Sequence, residues 1–178
     1  MKKLIYFAIL SIGVSFSSCG QQQEKTPTPL QPTVNINPNE NMDQVIKSNE
    51  EWRSLLTHEQ YSILREKGTE RPGTGKFLFN TENGTYTCAG CGNELFTSDM
   101  KFDSHCGWPS FDKEIAGGKI ITQKDSSHGM IRTEIMCGRC GGHLGHLFDD
   151  GPTETGMRYC VNSVSLDFKP QEEDKPKE

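Results

Sequence analysis

The chain lacks an excess of positive charge, a long hydrophobic run and internal repeats. Its 178 residues carry 19 Lys and Arg against 24 Asp and Glu, a formal net charge of −5. This balance argues against nucleic acid as the main partner. The longest apolar-leaning run, Leu4–Phe16, has thirteen residues, too few to cross a bilayer comfortably. Apart from two Cys-x-x-Cys pairs, no segment recurs, and the length fits one soluble domain with tails.

The N-terminus predicts export and lipidation. A basic start before the apolar run is typical of an export signal, so residues 1–18 are predicted to be a signal peptide. The run ends in Phe16–Gly20, which resembles the lipobox of bacterial lipoproteins, with Phe16 where that pattern prefers Leu. Cleavage before Cys19 would leave a lipidated cysteine that anchors the exported protein to a bacterial membrane, on its periplasmic or cell-surface side. The alternative is ordinary signal-peptidase cleavage, with Cys19 as a spare thiol.

Composition divides the remaining chain into three parts. Residues 19–46 are polar and Pro-rich, which predicts a semi-extended tether. Residues 170–178 are predicted to be a disordered, charged tail. The folded unit is therefore residues 47–169, enough for one modest core.

Within that unit, the residue pattern predicts helices first and strands afterwards. Thr57–Gln60 fits a capping box, so one short helix ends near Leu56 and a second starts at His58 and stops at Gly68. Short β-prone runs between glycines predict a mainly β, antiparallel domain, a sandwich or open barrel. These runs are Lys76–Asn80, Gly84–Cys88, Lys119–Gln123, Ile131–Met136, His146–Phe148 and Val161–Phe168.

The stretch around Cys160 is the strongest candidate for chemistry. If the last strand starts by Arg158, its period of two places Arg158, Cys160 and Asn162 on one face. The Arg158 charge would favour the Cys160 thiolate, which is the reactive form of cysteine. The alternative is a small buried cysteine, the commoner fate of a lone Cys.

Two Cys-x-x-Cys pairs, each followed by glycine, indicate a metal site. Four thiolates in two such pairs make a tetrahedral structural zinc site, and the 45 residues between them would let the metal clip distant hairpins together. The alternative is two redox pairs or disulfides, since an exported protein lies where disulfides persist. The four residues are Cys88, Cys91, Cys137 and Cys140.

Cys106 and two histidines complete the candidates. Cys106 lies in the aromatic loop Lys101–Phe111, and His143 and His146 lie in a Gly-rich loop after the second pair. As further zinc ligands the histidines would be redundant. A histidine beside a glycine turn is often merely exposed, but two of them suit general acid duty.

Several of these motifs together resemble the methionine-R-sulfoxide reductases, the B-type enzymes. The resemblance covers about residues 49–168, and its motifs occur in the family's order. It implies two antiparallel sheets with N-terminal helices. One departure is Gly73, where the family usually has Phe, which could loosen the loop at one wall of the site. The motifs are Lys101–Phe111, Arg132–Glu134, His143–Phe148 and Arg158–Phe168.

The resemblance implies a role for each candidate. Cys160 matches the nucleophile and Cys106 the resolving cysteine, while Trp108 matches the aromatic wall that holds the substrate methyl group. Arg158 is expected to help bind the substrate. The groups around the sulfoxide oxygen and the thiolate would be His143, His146 and Asn162. The four paired cysteines match the zinc ligands of a family subset.

The implied chemistry needs no organic cofactor. An acid such as His146 protonates the sulfoxide oxygen as Cys160 attacks, Cys160 becomes a sulfenic acid, and Cys106 then forms a disulfide. A thioredoxin-like dithiol must reduce that disulfide, and the enzyme is expected to be a monomer. Two rival functions are a zinc-stabilised binding module with a static disulfide between Cys106 and Cys160, and a peroxide-reducing thiol enzyme.

Overall fold

The computed structural model describes residues 44–172. The signal peptide, the lipid on Cys19, residues 19–43 of the tether and residues 173–178 of the tail lie outside the described residues and stay predictions. Across the described range, neither helix has the length and apolar character needed to cross a membrane. The first backbone contact of the domain is at Val45, whose N–H donates to the Arg139 carbonyl at 2.9 Å.

Two short helices precede the strands, as predicted. They are α1 (Asn49–Leu55) and α2 (His58–Leu64). Each begins with a reciprocal capping box, in which the side chain and backbone of the cap exchange hydrogen bonds with the third helical residue. The predicted box at Thr57 is confirmed, and Ser48 forms a second one. The second helix ends at Leu64, before the predicted stop at Gly68, and Lys67 in between has a left-handed φ of 59°.

Nine strands follow in the described part of the chain. They are β1 (Gly84–Cys88), β2 (Glu94–Thr97), β3 (Lys101–Phe102), β4 (Ser110–Phe111), β5 (Ile120–Asp125), β6 (Arg132–Cys137), β7 (His143–Phe148), β8 (Arg158–Val161) and β9 (Leu166–Pro170). They form two antiparallel sheets, one in the order β2-β1-β9 and one in the order β3-β4-β8-β7-β6-β5. The predicted fold class, mainly β with two antiparallel sheets and N-terminal helices, is confirmed.

Aromatic side chains from both sheets meet to form the core. Phe96 of β2 stacks on Phe111 of β4, with ring centroids 4.1 Å apart, and Tyr86 of β1 meets Phe111 edge-on at 5.1 Å. All three are completely buried. Aromatic rings bury large apolar areas, so they contribute strongly to the stability of this core.

The predicted strand Val161–Phe168 is wrong as a single strand. The observed strand β8 ends at Val161. The chain then passes through a 3-10 turn at Ser163–Ser165 and continues as β9 in the other sheet. The Glu70 carboxylate accepts the N–H groups of Ser163 and Val164, at 2.8 and 2.9 Å, and so holds the turn. The polar face that includes Cys160 therefore ends where the chain changes sheets.

The other run boundaries differ in simpler ways. The prediction over Lys76–Asn80 is wrong, because residues 76–79 form turns. The strand expected at His146–Phe148 starts earlier, at His143. The short β2, β3 and β4 were missed, since two to four residues give too little pattern to detect.

Candidate active site

Cys160 lies in the middle of the larger sheet. Its strand is flanked by β4 and β7, which place Ser110 and His146 opposite it. Beside it is a cavity of about 110 Å³. The cavity is lined by Thr69, Trp108, Arg132, Gly145, His146, Phe148, Cys160, Val161 and Asn162. Four of the predicted site residues thus meet at one cavity.

Cys106 and Cys160 lie in contact although 54 positions separate them in the chain. Their sulfur atoms are 3.6 Å apart, and both are free thiols. The structure therefore has no static disulfide here. A disulfide would require the sulfurs to approach by only about 1.5 Å, so the pair can be oxidised and reduced in place.

The two thiols differ in their acidity. Burial raises the pKa of Cys160 to about 12, and negative charge on Cys106 adds to this effect. Burial also disfavours the Cys106 thiolate, but hydrogen bonds from Ser104 and Ser110 outweigh it and lower the pKa of Cys106. Cys106 is therefore the more acidic thiol of the pair.

Arg158 acts less strongly on Cys160 than the sequence suggested. It does lower the pKa of that thiol, as predicted, but burial and Cys106 outweigh this effect. Its guanidinium is held by both oxygens of Asp150, at 2.7 and 2.8 Å, and lies 4.3 Å from the centre of the Phe148 ring. Arg158 is not among the cavity-lining residues, whereas Arg132 is.

His143 is a buried residue with a fixed orientation. Its Nδ1 lies 2.8 Å from a carboxylate oxygen of Glu134, whose other oxygen accepts from Lys67 at 2.7 Å. Burial lowers the pKa of His143 although Glu134 opposes the shift, so its neutral form donates through Nδ1. Its Nε2 is buried and has no partner among the described residues.

His146 is held from the opposite side. Its Nε2 lies 2.8 Å from Asp125 Oδ2, which also accepts from Arg132 at 2.6 Å. The His143 and His146 rings are 5.6 Å apart. The alternative of merely exposed histidines is therefore wrong, since only 4% of the His143 and 13% of the His146 side chain is accessible.

Glu70 organises the wall of the cavity, and the sequence did not single it out. Its N–H donates to Asn162 Oδ1 at 3.0 Å and its carbonyl accepts from Trp108 Nε1 at 3.2 Å. Asn162 also donates to the Leu144 carbonyl at 3.0 Å. The carboxylate meanwhile caps the turn after Cys160. An acidic residue in a loop has no local pattern that reveals this role.

The loop that contains Gly73 is tied to the Cys106 loop. Gly73 donates its N–H to the Gly107 carbonyl at 2.8 Å, and its φ of 79° lies in the left-handed region that favours glycine. This hydrogen bond joins the two loops at the departure from the family pattern, and the loosening expected there stays a prediction.

The four paired cysteines form one cluster. Their sulfurs all lie within 4.8 Å of one another, with Cys88 and Cys140 at 3.7 Å and Cys91 and Cys137 at 3.6 Å. A tetrahedron with metal–sulfur bonds of about 2.3 Å has edges of about 3.8 Å. All four thiols are free, and the cluster could hold a metal.

The two knuckles have the same backbone pattern. The N–H of the glycine after each pair donates to the carbonyl of its first cysteine at 2.8 Å, Gly92 to Cys88 and Gly141 to Cys137. Both glycines have positive φ, 72° and 67°. Because Cys88 ends a strand of the smaller sheet and Cys137 one of the larger, the cluster joins the two sheets.

This fold, with a pair of facing free thiols beside a cavity lined by apolar and polar groups, defines a thiol-based oxidoreductase. The SelR domain family matches residues 56–170. Three curated relatives bear the name peptide methionine sulfoxide reductase MsrB. The Methanosarcina barkeri protein is 57% identical over 74% of this chain and 92% of its own length. The Bradyrhizobium diazoefficiens protein is 56% identical over 72% of this chain and 93% of its own length. The Leptospira interrogans protein is 58% identical over 71% of this chain and 96% of its own length.

These matches cover most of the chain and nearly all of each relative. The chain belongs to the SelR domain family, the B-type methionine sulfoxide reductases. It is an oxidoreductase that reduces methionine sulfoxide.

Proposed function

We propose that this enzyme reduces the R epimer of methionine sulfoxide, in proteins and as the free amino acid, with Cys160 as nucleophile and Cys106 as resolving thiol. The observation that carries the proposal is the contact of the two free thiols, 3.6 Å apart, beside a cavity lined by Trp108 and His146. A nucleophile, a second thiol, an aromatic wall and a proton donor are the groups that the reaction needs.

The first step transfers the substrate oxygen. The Cys160 thiolate attacks the sulfoxide sulfur while His146 protonates the oxygen. The substrate's sulfur–oxygen bond breaks and the hydroxyl group moves to Cys160, which becomes a sulfenic acid. The substrate sulfur is reduced by two electrons and the cysteine is oxidised by two, so methionine leaves.

The second step closes the disulfide. The Cys106 thiolate attacks the Cys160 sulfur, the sulfur–sulfur bond forms, and the hydroxide that leaves is protonated to water. The lowered pKa of Cys106 supports this role. An external, thioredoxin-like dithiol then reduces the disulfide by thiol–disulfide exchange.

Selectivity for one epimer follows from cavity-lining groups of unlike polarity. The Trp108 indole is suited to the substrate methyl group, whereas His146 and Asn162 are suited to the oxygen. The separated R and S sulfoxides test this directly. With excess dithiol, methionine should form from the R epimer alone, and equal rates for both epimers would contradict the proposal.

Trp108→Phe should lower kcat/KM for the R epimer by about 5- to 100-fold, since the smaller ring contacts the methyl group less and positions the sulfur less well. Its melting temperature should stay within a few degrees of wild type, because Trp108 lies outside the buried core. Steady-state kinetics and thermal melting measure both quantities. Phe79→Leu, at an 80% exposed aromatic away from the cavity, is the matched control. An unchanged kcat/KM in folded Trp108→Phe would remove Trp108 from the site.

Cys106→Ser should retain one turnover and lose recycling. One equivalent of methionine per enzyme should form, leaving a trapped sulfenic acid that a thioredoxin-type dithiol does not recycle. Burial is the main cause of the raised pKa of Cys160, and Cys106 adds to it, so the variant should also show a lower Cys160 pKa, measured by thiolate absorbance. Full dithiol-dependent turnover would mean that another thiol resolves the intermediate.

The ion that fits the four-cysteine cluster best is zinc. Four thiolates close the tetrahedron and leave no open position for a substrate, which is typical of a structural site. The ion would hold the two sheets together through Cys88, Cys91, Cys137 and Cys140, and no step of the reaction passes through it.

A further inference from the structure

Asp125, the last residue of β5, connects two groups of the catalytic cavity. One of its oxygens accepts from Arg132 at 2.6 Å and lies 2.8 Å from His146 Nε2, and the other accepts from the Ser127 N–H at 2.8 Å. The side chains of Asp125, His146 and Arg132 are only 16%, 13% and 24% exposed. Both Arg132 and His146 line the cavity.

We propose that Asp125 is a positioning residue for His146. Asp125 accepts the proton on Nε2, so that the proton for the sulfoxide oxygen is delivered from Nδ1, and its charge stabilises the imidazolium that must exist before transfer. The inference rests on the proposed function, because it takes His146 as the proton donor. Asp125 itself does not touch the substrate.

The contacts of His146 support this assignment. Within residues 44–172, Nε2 has the Asp125 partner and Nδ1 has no hydrogen bond. A nearby carboxylate favours a charged imidazole over a neutral one. Hydrogen bonds from Ser127, His146 and Arg132 hold the pKa of the Asp125 carboxyl well below its usual range. Asp125 therefore stays ionised and does not take the proton itself.

The other charged groups near His146 have different tasks. They are Arg132 and Glu134 on β6, His143 on β7, Cys160 on β8, and Lys67, which reaches this region through Glu134. The two carboxylate oxygens of Glu134 are hydrogen-bonded to Lys67 and His143. Arg132 shares the Asp125 oxygen and so reduces the charge available to His146. Asp125 and Arg132 therefore act on the His146 proton in opposite directions.

The test is the pH dependence of methionine formation from the R epimer in single turnover. Activity that needs a protonated His146 falls as the pH rises, which gives an alkaline limb. Asp125→Asn removes the charge but keeps the shape, so this limb should move to lower pH, with an approximately 10-fold loss near neutrality. Arg132→Gln should move the limb to higher pH, because Asp125 then acts on His146 alone. If Asp125 and Arg132 had a purely structural role, both variants would be less active at every pH, but their alkaline limbs would not move in opposite directions.

A double-mutant cycle shows whether Asp125 acts through His146. In a His146→Asn background, adding Asp125→Asn should cost almost nothing further, whereas the same additional loss as in wild type would overturn the inference. An unmoved alkaline limb in folded Asp125→Asn would overturn it too. If Asp125→Asn does not fold, the inference is tested by Arg132→Gln alone: an alkaline limb that moves to higher pH supports it, and one that does not overturns it. Wild-type protein that reduces neither epimer would instead refute the proposed function.

Discussion

Cys160→Ser should lose sulfoxide reduction by about 10³-fold or more, the scale on which removal of a nucleophile acts. A serine hydroxyl stays protonated and cannot replace the thiolate in the attack on sulfur. The loss should appear in single turnover, as methionine formed per enzyme from the R epimer. The loss should therefore be the same with and without the dithiol, because single turnover requires no reduction of the disulfide.

Cys106→Ser is the matched control, because it makes the same change 3.6 Å away. It should still form one equivalent of methionine, so the contrast separates attack from resolution. Cys160→Ser should also melt near wild type, since one atom changes at a partly exposed position. Single turnover in Cys160→Ser within about tenfold of wild type would refute the assigned nucleophile; the threshold is lenient against the expected loss.

Cys88→Ser or Cys137→Ser should cause the largest loss of stability. Structural zinc contributes about 10–16 kcal/mol to folding in small zinc-dependent peptides, which is comparable to the whole stability of a domain. Because the cluster joins strands of both sheets, losing one ligand should release the metal and lower Tm by about 10 °C or more. Thermal melting and metal analysis of the same preparation measure both effects.

The control for this change is again Cys160→Ser, a thiol-to-hydroxyl change outside the cluster. It should keep one zinc per chain and its melting temperature. Protein expressed with ample zinc that contains none would show that the four thiols do not serve as a metal site. A variant that lost zinc but kept its melting temperature would show that the ion does not join the sheets.

Local pattern was sufficient for several elements of the fold. The capping box at Thr57 and the strands β1, β5 and β6 could be predicted because their signals lie within a few adjacent residues. The strand Val161–Phe168 could not be predicted correctly for a physical reason. Its break depends on hydrogen bonds that Ser163 and Val164 donate to Glu70, about 90 positions earlier in the chain, and strand propensity contains no information about such a partner.

The site divides in the same way. Its reactive groups could be identified from the sequence because cysteine pairs, histidines and the aromatic loop are chemically distinctive. Asp125 and Glu70 could not, since each is an ordinary acidic residue until the fold gives it its partners. The net acidity of Cys160 could not be predicted from the sequence either. Arg158 was visible in the sequence, but the burial that outweighs it was not.

The sequence alone determined which groups are available: six cysteines for two sites, a histidine pair, an aromatic loop and a chain rich in short strands. Tertiary structure alone decided how they act. It brought Cys106 to Cys160, gathered the four remaining thiols into one cluster, and turned His146 toward Asp125. The reason is physical, because acidity and reactivity depend on distance and burial, and both are set by contacts between residues far apart in the chain.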